Sequence, residues 1–252
     1  MNHLPTLALR PAGWLASRDA RLRILAAVSF ALVTVSMNQV PTLLLAFAAA
    51  CALIAASGLS ARVLLRRLIA LEGLMAVILI TLPFTVPGET WFGFGPLEAS
   101  WEGTLRALTI VLKAHSIVLA LLALVGGIEP VALGHALSRL RLPDKLVHLF
   151  LFTVRYIDVL HEEYRRLRMA MRTRAFVARS DRHTWNTLGW LVGMLLVRSL
   201  ERSRRIVAAM KCRGFHGRLY LLDTTSWQPA DSHLAVFFGL VVAALLGFEH
   251  LS

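Results

Sequence analysis

The sequence predicts an all-α integral membrane protein with about five transmembrane helices and two long cytoplasmic or interfacial helices. Three observations predict it. First, 57% of the 252 residues are hydrophobic and only 17% are charged, against about 45–50% and about 25% in an ordinary soluble domain. Second, five apolar stretches approach the length of about 20 residues that a helix needs to cross a bilayer. Third, the net charge of +12 is confined to one internal segment: residues 139–218 hold 18 Lys and Arg and 6 Asp and Glu, while the 9 basic and 9 acidic residues elsewhere cancel. So much apolar surface excludes a disordered chain. With Cys51 and Cys212 as the only cysteines, a disulfide scaffold and a cysteine metal cluster are excluded as well.

The five spans are residues 22–37, 41–57, 68–86, 107–125 and 234–248. Arg10, Arg18, Arg21 and Arg23 surround the start of the first. No small-residue cleavage site closes its apolar run and more spans follow, so it is expected to be an uncleaved helix. The positive-inside rule orients the set. The N-terminal arginines place the N-terminus in the cytoplasm. Arg62, Arg66 and Arg67 make the link between spans two and three cytoplasmic. The link 87–105 carries Glu89, Glu98 and Glu102 and no basic residue until Arg106, so it is external, with Trp91, Phe92, Phe94 and Trp101 suited to an interface belt. Gly126-Gly127 reads as a turn after the fourth span. The basic segment is then cytoplasmic, and the fifth span carries the C-terminus outside.

Two apolar stretches within the basic segment, 146–160 and 185–200, are read as non-spanning, because a crossing by either would strand arginine clusters on the wrong side. They belong to two long helices. The first covers about 144–176, with Pro143 near its start and an apolar face of Leu160, Tyr164, Leu167 and Met171. The second covers about 187–213, following a polar link at 178–184. Gly214 stands where a left-handed C-terminal cap favours glycine. Three segments follow: 1–127 with about four spans, 128–219 with the basic helices, and 220–252 with a linker and the last span.

The two basic helices end alike. The first ends Ala170-Met171-Arg172-Thr173-Arg174-Ala175-Phe176, and the second ends Ala209-Met210-Lys211-Cys212-Arg213-Gly214-Phe215. Seven positions agree in type at a separation of 39 residues. Two basic ends on one side of a membrane form a two-pronged docking surface, matched to a soluble partner with acidic grooves.

These endings resemble the paired Ala-Arg-Gly coupling motifs of the T components of energy-coupling factor (ECF) transporters. Here they read Thr173-Arg174-Ala175 and Cys212-Arg213-Gly214. The blocks Arg141-Leu142-Pro143-Asp144-Lys145-Leu146, Arg155-Tyr156-Ile157, Glu162-Glu163 and Arg198-Ser199-Leu200-Glu201-Arg202-Ser203 are similar to those of the cobalt/nickel branch, the CbiQ family. Ser17-Arg18-Asp19-Ala20-Arg21 resembles the Asp-Pro-Arg segment before that family's first helix. The resemblance implies a non-catalytic membrane scaffold with no cofactor of its own. It implies two cytoplasmic ABC ATPase subunits that bind ATP, a substrate-binding membrane S component of the CbiM kind, and a small CbiN-like subunit. Localisation would be the bacterial cytoplasmic membrane. It implies ATPase docking by Arg174, Arg213, Thr173, Ala175, Cys212 and Gly214, supported by Arg172, Lys211, Phe176 and Phe215. Thr173 and Cys212 replace alanines with other small residues. Ala175 replaces the first glycine, so a positive φ there would be strained, unless the first helix continues through it.

Other readings compete. A T component serving a vitamin-binding subunit would share the same motifs. An intramembrane His/Glu enzyme would need convergent polar groups within the spans, and few are evident. Nucleic-acid binding would favour mixed lysine and exposed aromatics, which the arginine-rich hydrophobic helices lack. The nine histidines form no HxxxH or HExxH pattern, and Met1-Asn2-His3 is not expected to be a metal-binding start, so no metal ligands are assigned. No P-loop is present, which puts ATP on a partner. His115, near Lys113, lies deep in a predicted span and fits polar packing. Glu72 in the third span would pair with an arginine or line a subunit contact.

Overall fold

The computed structural model describes residues 18–58, 61–94, 97–216 and 229–251. Arg10, Arg218 and Met1-Asn2-His3 lie outside them, as do the side chains of Arg62, Trp91, Phe92, Phe94 and Glu98. The elements are α1 (Ala20–Ser36), α2 (Val40–Ser57), α3 (Ala61–Thr85), the short strands β1 (Thr90–Phe94) and β2 (Leu97–Ser100), α4 (Trp101–Leu124), α5 (Pro130–Arg139), α6 (Asp144–Thr173), α7 (Arg182–Cys212) and α8 (Pro229–Leu251). The chain divides into two compact units, residues 1–129 with 224–252, and residues 130–223.

The first unit packs α1, α2 and α3 against α4, with α8 against α1 and α2. Its polarity is that of a membrane protein. Fully buried positions include small and hydroxylated residues: Ala46 and Ala50 one turn apart on α2, Ala120 on α4, and Thr34, Thr42, Ser57 and Ser116. Small side chains let helix axes approach in lipid. The hydroxyls of Thr34 and Ser116 donate to the carbonyls of Phe30 (2.8 Å) and Leu112 (2.7 Å), so each buried O–H is satisfied within its own helix. Many large aliphatics point outward, with Leu32 68% and Leu240 65% exposed. Such apolar exposure suits a hydrocarbon solvent. Phe30 and Phe238 join α1 to α8 with ring centroids 6.4 Å apart.

α2, α4 and residues 231–249 of α8 are long and apolar enough to cross a membrane. α1 has 17 residues. The apolar part of α3 is Met75–Thr85, because Arg66, Arg67 and Glu72 interrupt its first half. The link expected at 87–105 is shorter than its sequence suggested. It holds an antiparallel hairpin pairing Phe92 with Ala99 and Phe94 with Leu97, and α4 begins at Trp101, six residues before the expected 107. Ser100 sets that start: its Oγ accepts from the amide of Gly103 (3.0 Å) and donates to the carbonyl of Val86 (2.6 Å). It thus caps α4 and closes α3 with one hydroxyl.

At the opposite end of the unit, Asp19 caps α1 by accepting from the amide of Arg21 (3.0 Å). Arg23 is buried, and its Nε donates to the carbonyl of Leu124 (2.7 Å), a terminal acceptor of α4. An arginine that reads in the sequence as a topological charge therefore works as a helix C-terminal cap. At the other end of α1, Glu249 accepts from the amide of Asn38 (2.8 Å) and the hydroxyl of Thr42 (2.5 Å). Nearby, Lys113 donates to the carbonyl of Val35 (3.0 Å) and to Asn38 Oδ1 (3.2 Å). These contacts tie together α1, α2, α4 and α8.

Candidate functional site

The second unit carries both arginine motifs. It opens with α5, a helix the sequence reading did not separate. Gly134 of α5 packs on Phe150 and Leu151 of α6, with no room for a Cβ. Pro143 holds the N-cap of α6 rather than its first turn. That helix runs 30 residues and ends at Thr173, three residues before the expected 176.

Ala175 is the reason for that end. Its φ is +60°, in the left-handed region, so α6 does not continue through it. The amide of Phe176 donates to the carbonyl of Met171 (3.1 Å) and that of Ala175 to Arg172 (3.0 Å). This pair of bonds is a Schellman cap. α7 ends identically. Gly214 has φ +78°, and the amides of Phe215 and Gly214 donate to the carbonyls of Met210 (3.1 Å) and Lys211 (3.0 Å). The pattern of exposure matches as well: Met171 and Met210, and Phe176 and Phe215, are half-buried, whereas the four residues between each pair are exposed. The repeat therefore encodes a specific backbone device, with half-buried methionine and phenylalanine at the two positions whose apolar side chains commonly accompany such a cap, and an exposed arginine at the cap. α5 closes the same way. Arg141 has φ +62°, and the amides of Leu142 and Arg141 donate to the carbonyls of Leu137 (3.3 Å) and Ser138 (3.1 Å).

α7 starts at Arg182, five residues before the expected 187. Asp181 is its N-cap, accepting from the amide of Thr184 (2.8 Å), whose hydroxyl in turn accepts from the amide of Arg179 (3.0 Å). The Asp-x-x-Thr spacing was visible in the sequence as a helix-start signal. The Thr184 hydroxyl and amide hold the Asp181 carboxyl below its usual range. The connection between the helices is thus residues 174–181 rather than 178–184. Phe176 closes it from the other side, with its ring centroid 6.3 Å from that of His183.

An ion pair between Glu163 and Arg198 joins α6 to α7. Glu163 is 12% exposed and Arg198 48%. Both residues lie in sequence blocks noted above, but nothing in their spacing of 35 residues announces that they meet. The Arg166–Glu162 pair (2.8 Å) stays within α6 at i,i+4 and is solvated on both sides; the Glu162 carboxylate raises the Arg166 pKa. The structure thus places Arg172, Thr173, Arg174, Ala175 and Phe176 at one helix end and Lys211, Cys212, Arg213, Gly214 and Phe215 at another, on helices joined by the Glu163–Arg198 pair. Among the described residues, no group of three or more His, Cys, Asp or Glu side chains could hold a metal ion. Glu72 pairs with His115, not with an arginine (3.0 Å).

Comparison with known proteins bears on this arrangement. The chain is 32% identical over 94 residues to an uncharacterized protein of Methanocaldococcus jannaschii, covering 37% of this chain and 35% of the relative. It is 27% identical over 172 residues to the cobalt transport protein CbiQ of Rhodobacter capsulatus, covering 68% of this chain and 64% of the relative. The chain thus spans less than two thirds of the length of either curated relative. The family model described as "CbiQ: Cobalt transport protein" matches residues 12–221. That match takes in both helix ends and most of the membrane helices, and the chain belongs to the CbiQ family of cobalt transport proteins.

Proposed function

We propose that this chain is the transmembrane scaffold of an ECF-type importer, passing the ATP-driven motion of two cytoplasmic ATPase subunits to a substrate-binding membrane subunit for cobalt uptake. The duplicated helix end carries the reading. Two exposed arginines in the same backbone state offer the same chemistry twice, which is what a pair of similar ATPase subunits would require. Each guanidinium would enter an acidic groove, and a desolvated arginine–carboxylate pair is charge-assisted and bidentate in its best geometry. The helix ends would lie in the cytoplasm. ATP is bound by the partners, and this chain contributes geometry rather than catalysis.

Arg174→Ala and Arg213→Ala test the reading. Truncating one member of a buried charge pair costs about 2–5 kcal/mol, so each variant is expected to insert normally in the membrane yet co-purify with less ATPase and take up less cobalt. Normal ATPase recovery and uptake in the double variant would refute the docking roles.

A further inference from the structure

The elbow between α5 and α6 is a third basic helix end, and ATPase docking at Arg174 and Arg213 leaves it unused. Arg141 stands at C′ of α5 with φ +62°. Ala175 and Gly214 hold the same position after α6 and α7. A left-handed backbone disfavours every side chain with a Cβ, so glycine is the residue that costs least there. The cap itself needs no guanidinium, because backbone amides make both of its bonds, to the carbonyls of Leu137 and Ser138. A strained position that keeps a long cation points to a use for the side chain.

Arg141 and Lys145 are exposed, and so are the leucines interleaved with them, Leu142, Leu146 (54%) and Leu149 (64%). Val147 is the buried residue of that first turn of α6, so Leu146 and Leu149 project away from the packing of their own unit. Leu142 is exposed where Phe176 and Phe215, at the same cap position, are half-buried. Among the described residues neither Arg141 nor Lys145 forms an ion pair. The 30 residues of α6 put about 45 Å between this elbow and the arginine motif at the far end. By contrast, only residues 125–129 and the ten residues of α5 separate the elbow from the end of the apolar helix α4.

We propose that the α5–α6 elbow is an anchor for anionic phospholipid, in which Arg141 and Lys145 hold headgroup phosphates while Leu142, Leu146 and Leu149 enter the acyl boundary. Cations and aliphatics exposed side by side are what an interfacial segment needs, since the long basic side chains reach the headgroups above the buried leucines. An acidic protein surface would answer the two cations and leave the three leucines unmatched. Negative surface charge on the bilayer answers both, and its attraction adds up over basic residues held near it. The inference does not depend on ATPase docking at Arg174 and Arg213.

The test attaches a nitrobenzoxadiazole label at Leu146→Cys in the full-length chain, with Cys51→Ser and Cys212→Ser to remove the other thiols. The labelled chain is placed in phosphatidylcholine nanodiscs doped with the same fraction of doxyl-labelled phosphatidylglycerol or doxyl-labelled phosphatidylcholine. At low salt the phosphatidylglycerol should associate with the label about fivefold more strongly, the scale of one basic residue at an anionic surface. That preference should fall to near parity when Arg141→Gly is combined with Lys145→Gln, and be kept in Arg141→Lys. Glycine suits the left-handed C′ position, so Arg141→Gly removes the guanidinium and leaves the cap, which hydrogen exchange of the Leu142 amide verifies. Equal quenching by the two lipids would mean a bilayer contact without headgroup recognition, and no quenching by either would place the elbow in water or against protein. Each of these would overturn the proposal, as would a preference unchanged in the double variant. The two-lipid comparison with Arg141 and Lys145 in place decides the question even where the double variant fails to accumulate.

Discussion

Arg174 and Arg213 occupy the same position of two helix ends, with φ of −93° and −95° and ψ of 23° and 15°. Each sits one residue before a left-handed C′ residue and beside the last carbonyls of its helix. A cation there is favoured by the partial negative charge of the helix terminus. A cap also limits the directions in which the arginine can project more tightly than a fraying end would. The identical geometry makes the two arginines interchangeable in presentation, although one C′ residue is alanine and the other glycine.

That difference is measurable. A left-handed conformation costs an L-residue about 1–2 kcal/mol, part of which glycine returns as conformational entropy. Ala175→Gly should therefore stabilise the end of α6 by about 0.5–1 kcal/mol, and Gly214→Ala should destabilise the end of α7 by about as much. Hydrogen exchange of the Phe176 and Phe215 amides reports it directly, since these donate the closing bonds to Met171 and Met210. Exchange should slow at Phe176 in the first variant and quicken at Phe215 in the second. An unchanged rate at Phe176 would mean that Ala175 carries no left-handed strain.

The ion pair of Glu163 and Arg198 should set the separation of the two arginine motifs. Glu163 is largely buried, so the pair is better shielded than a solvated one, and a double-mutant cycle with Glu163→Gln and Arg198→Gln should give a coupling of about 1 kcal/mol. Spin labels at Cys212 and at a cysteine introduced by Thr173→Cys, with Cys51→Ser to remove the other thiol, would give the distance between the helix ends. That distribution should broaden when the pair is removed. Glu162→Gln, whose partner Arg166 lies on the same helix, should leave it unchanged.

Much of this was legible in the sequence because it is local. The apolar stretches, Gly214 as a left-handed cap and the matched endings depend on residues within a turn or two of one another. The end of α6 was harder to read, because alanine at C′ departs from the usual glycine although the same local bonds, from Phe176 and Ala175, close the helix. The early starts of α4 and α7 were hidden by weighing apolar content above the capping side chains Ser100 and Asp181. The long-range polar pairs could not be read at all. Glu72 with His115, Glu163 with Arg198 and Arg23 with the Leu124 carbonyl are separated by 43, 35 and 101 residues, and only helix packing brings them together.

Arg23 tests whether an arginine near the start of a span holds the bundle or only orients it. Its guanidinium is buried, and the Nε bond to the Leu124 carbonyl joins α1 to the end of α4. Hydrogen bonds to charged groups contribute about 1.5–3 kcal/mol, so Arg23→Leu should lower stability in detergent by about that much. Orientation should persist, because Arg18 and Arg21 keep the positive charge on the same side. A thermal-stability assay with an accessibility probe at the N-terminus separates the two roles. Unchanged stability with inverted or mixed orientation would assign Arg23 to topology alone.

Asp181 makes the start of α7 sensitive to acid. Hydrogen bonds from the Thr184 hydroxyl and amide favour the ionised carboxylate and hold its folded pKa below the ordinary value. A depressed folded value means that the cap stabilises the helix start at pH above the unfolded value of about 3.9. The contribution is lost as pH falls through the folded value. Hydrogen exchange at the Thr184 amide, corrected for its intrinsic pH dependence, should thus lose protection on acidification below about pH 4. Asp181→Asn keeps a capping oxygen without a titrating group, so it should abolish that acid step while leaving much of the protection at neutral pH. Asp181→Ala should lose protection at every pH. An acid step that survives in Asp181→Asn would assign the sensitivity to another group.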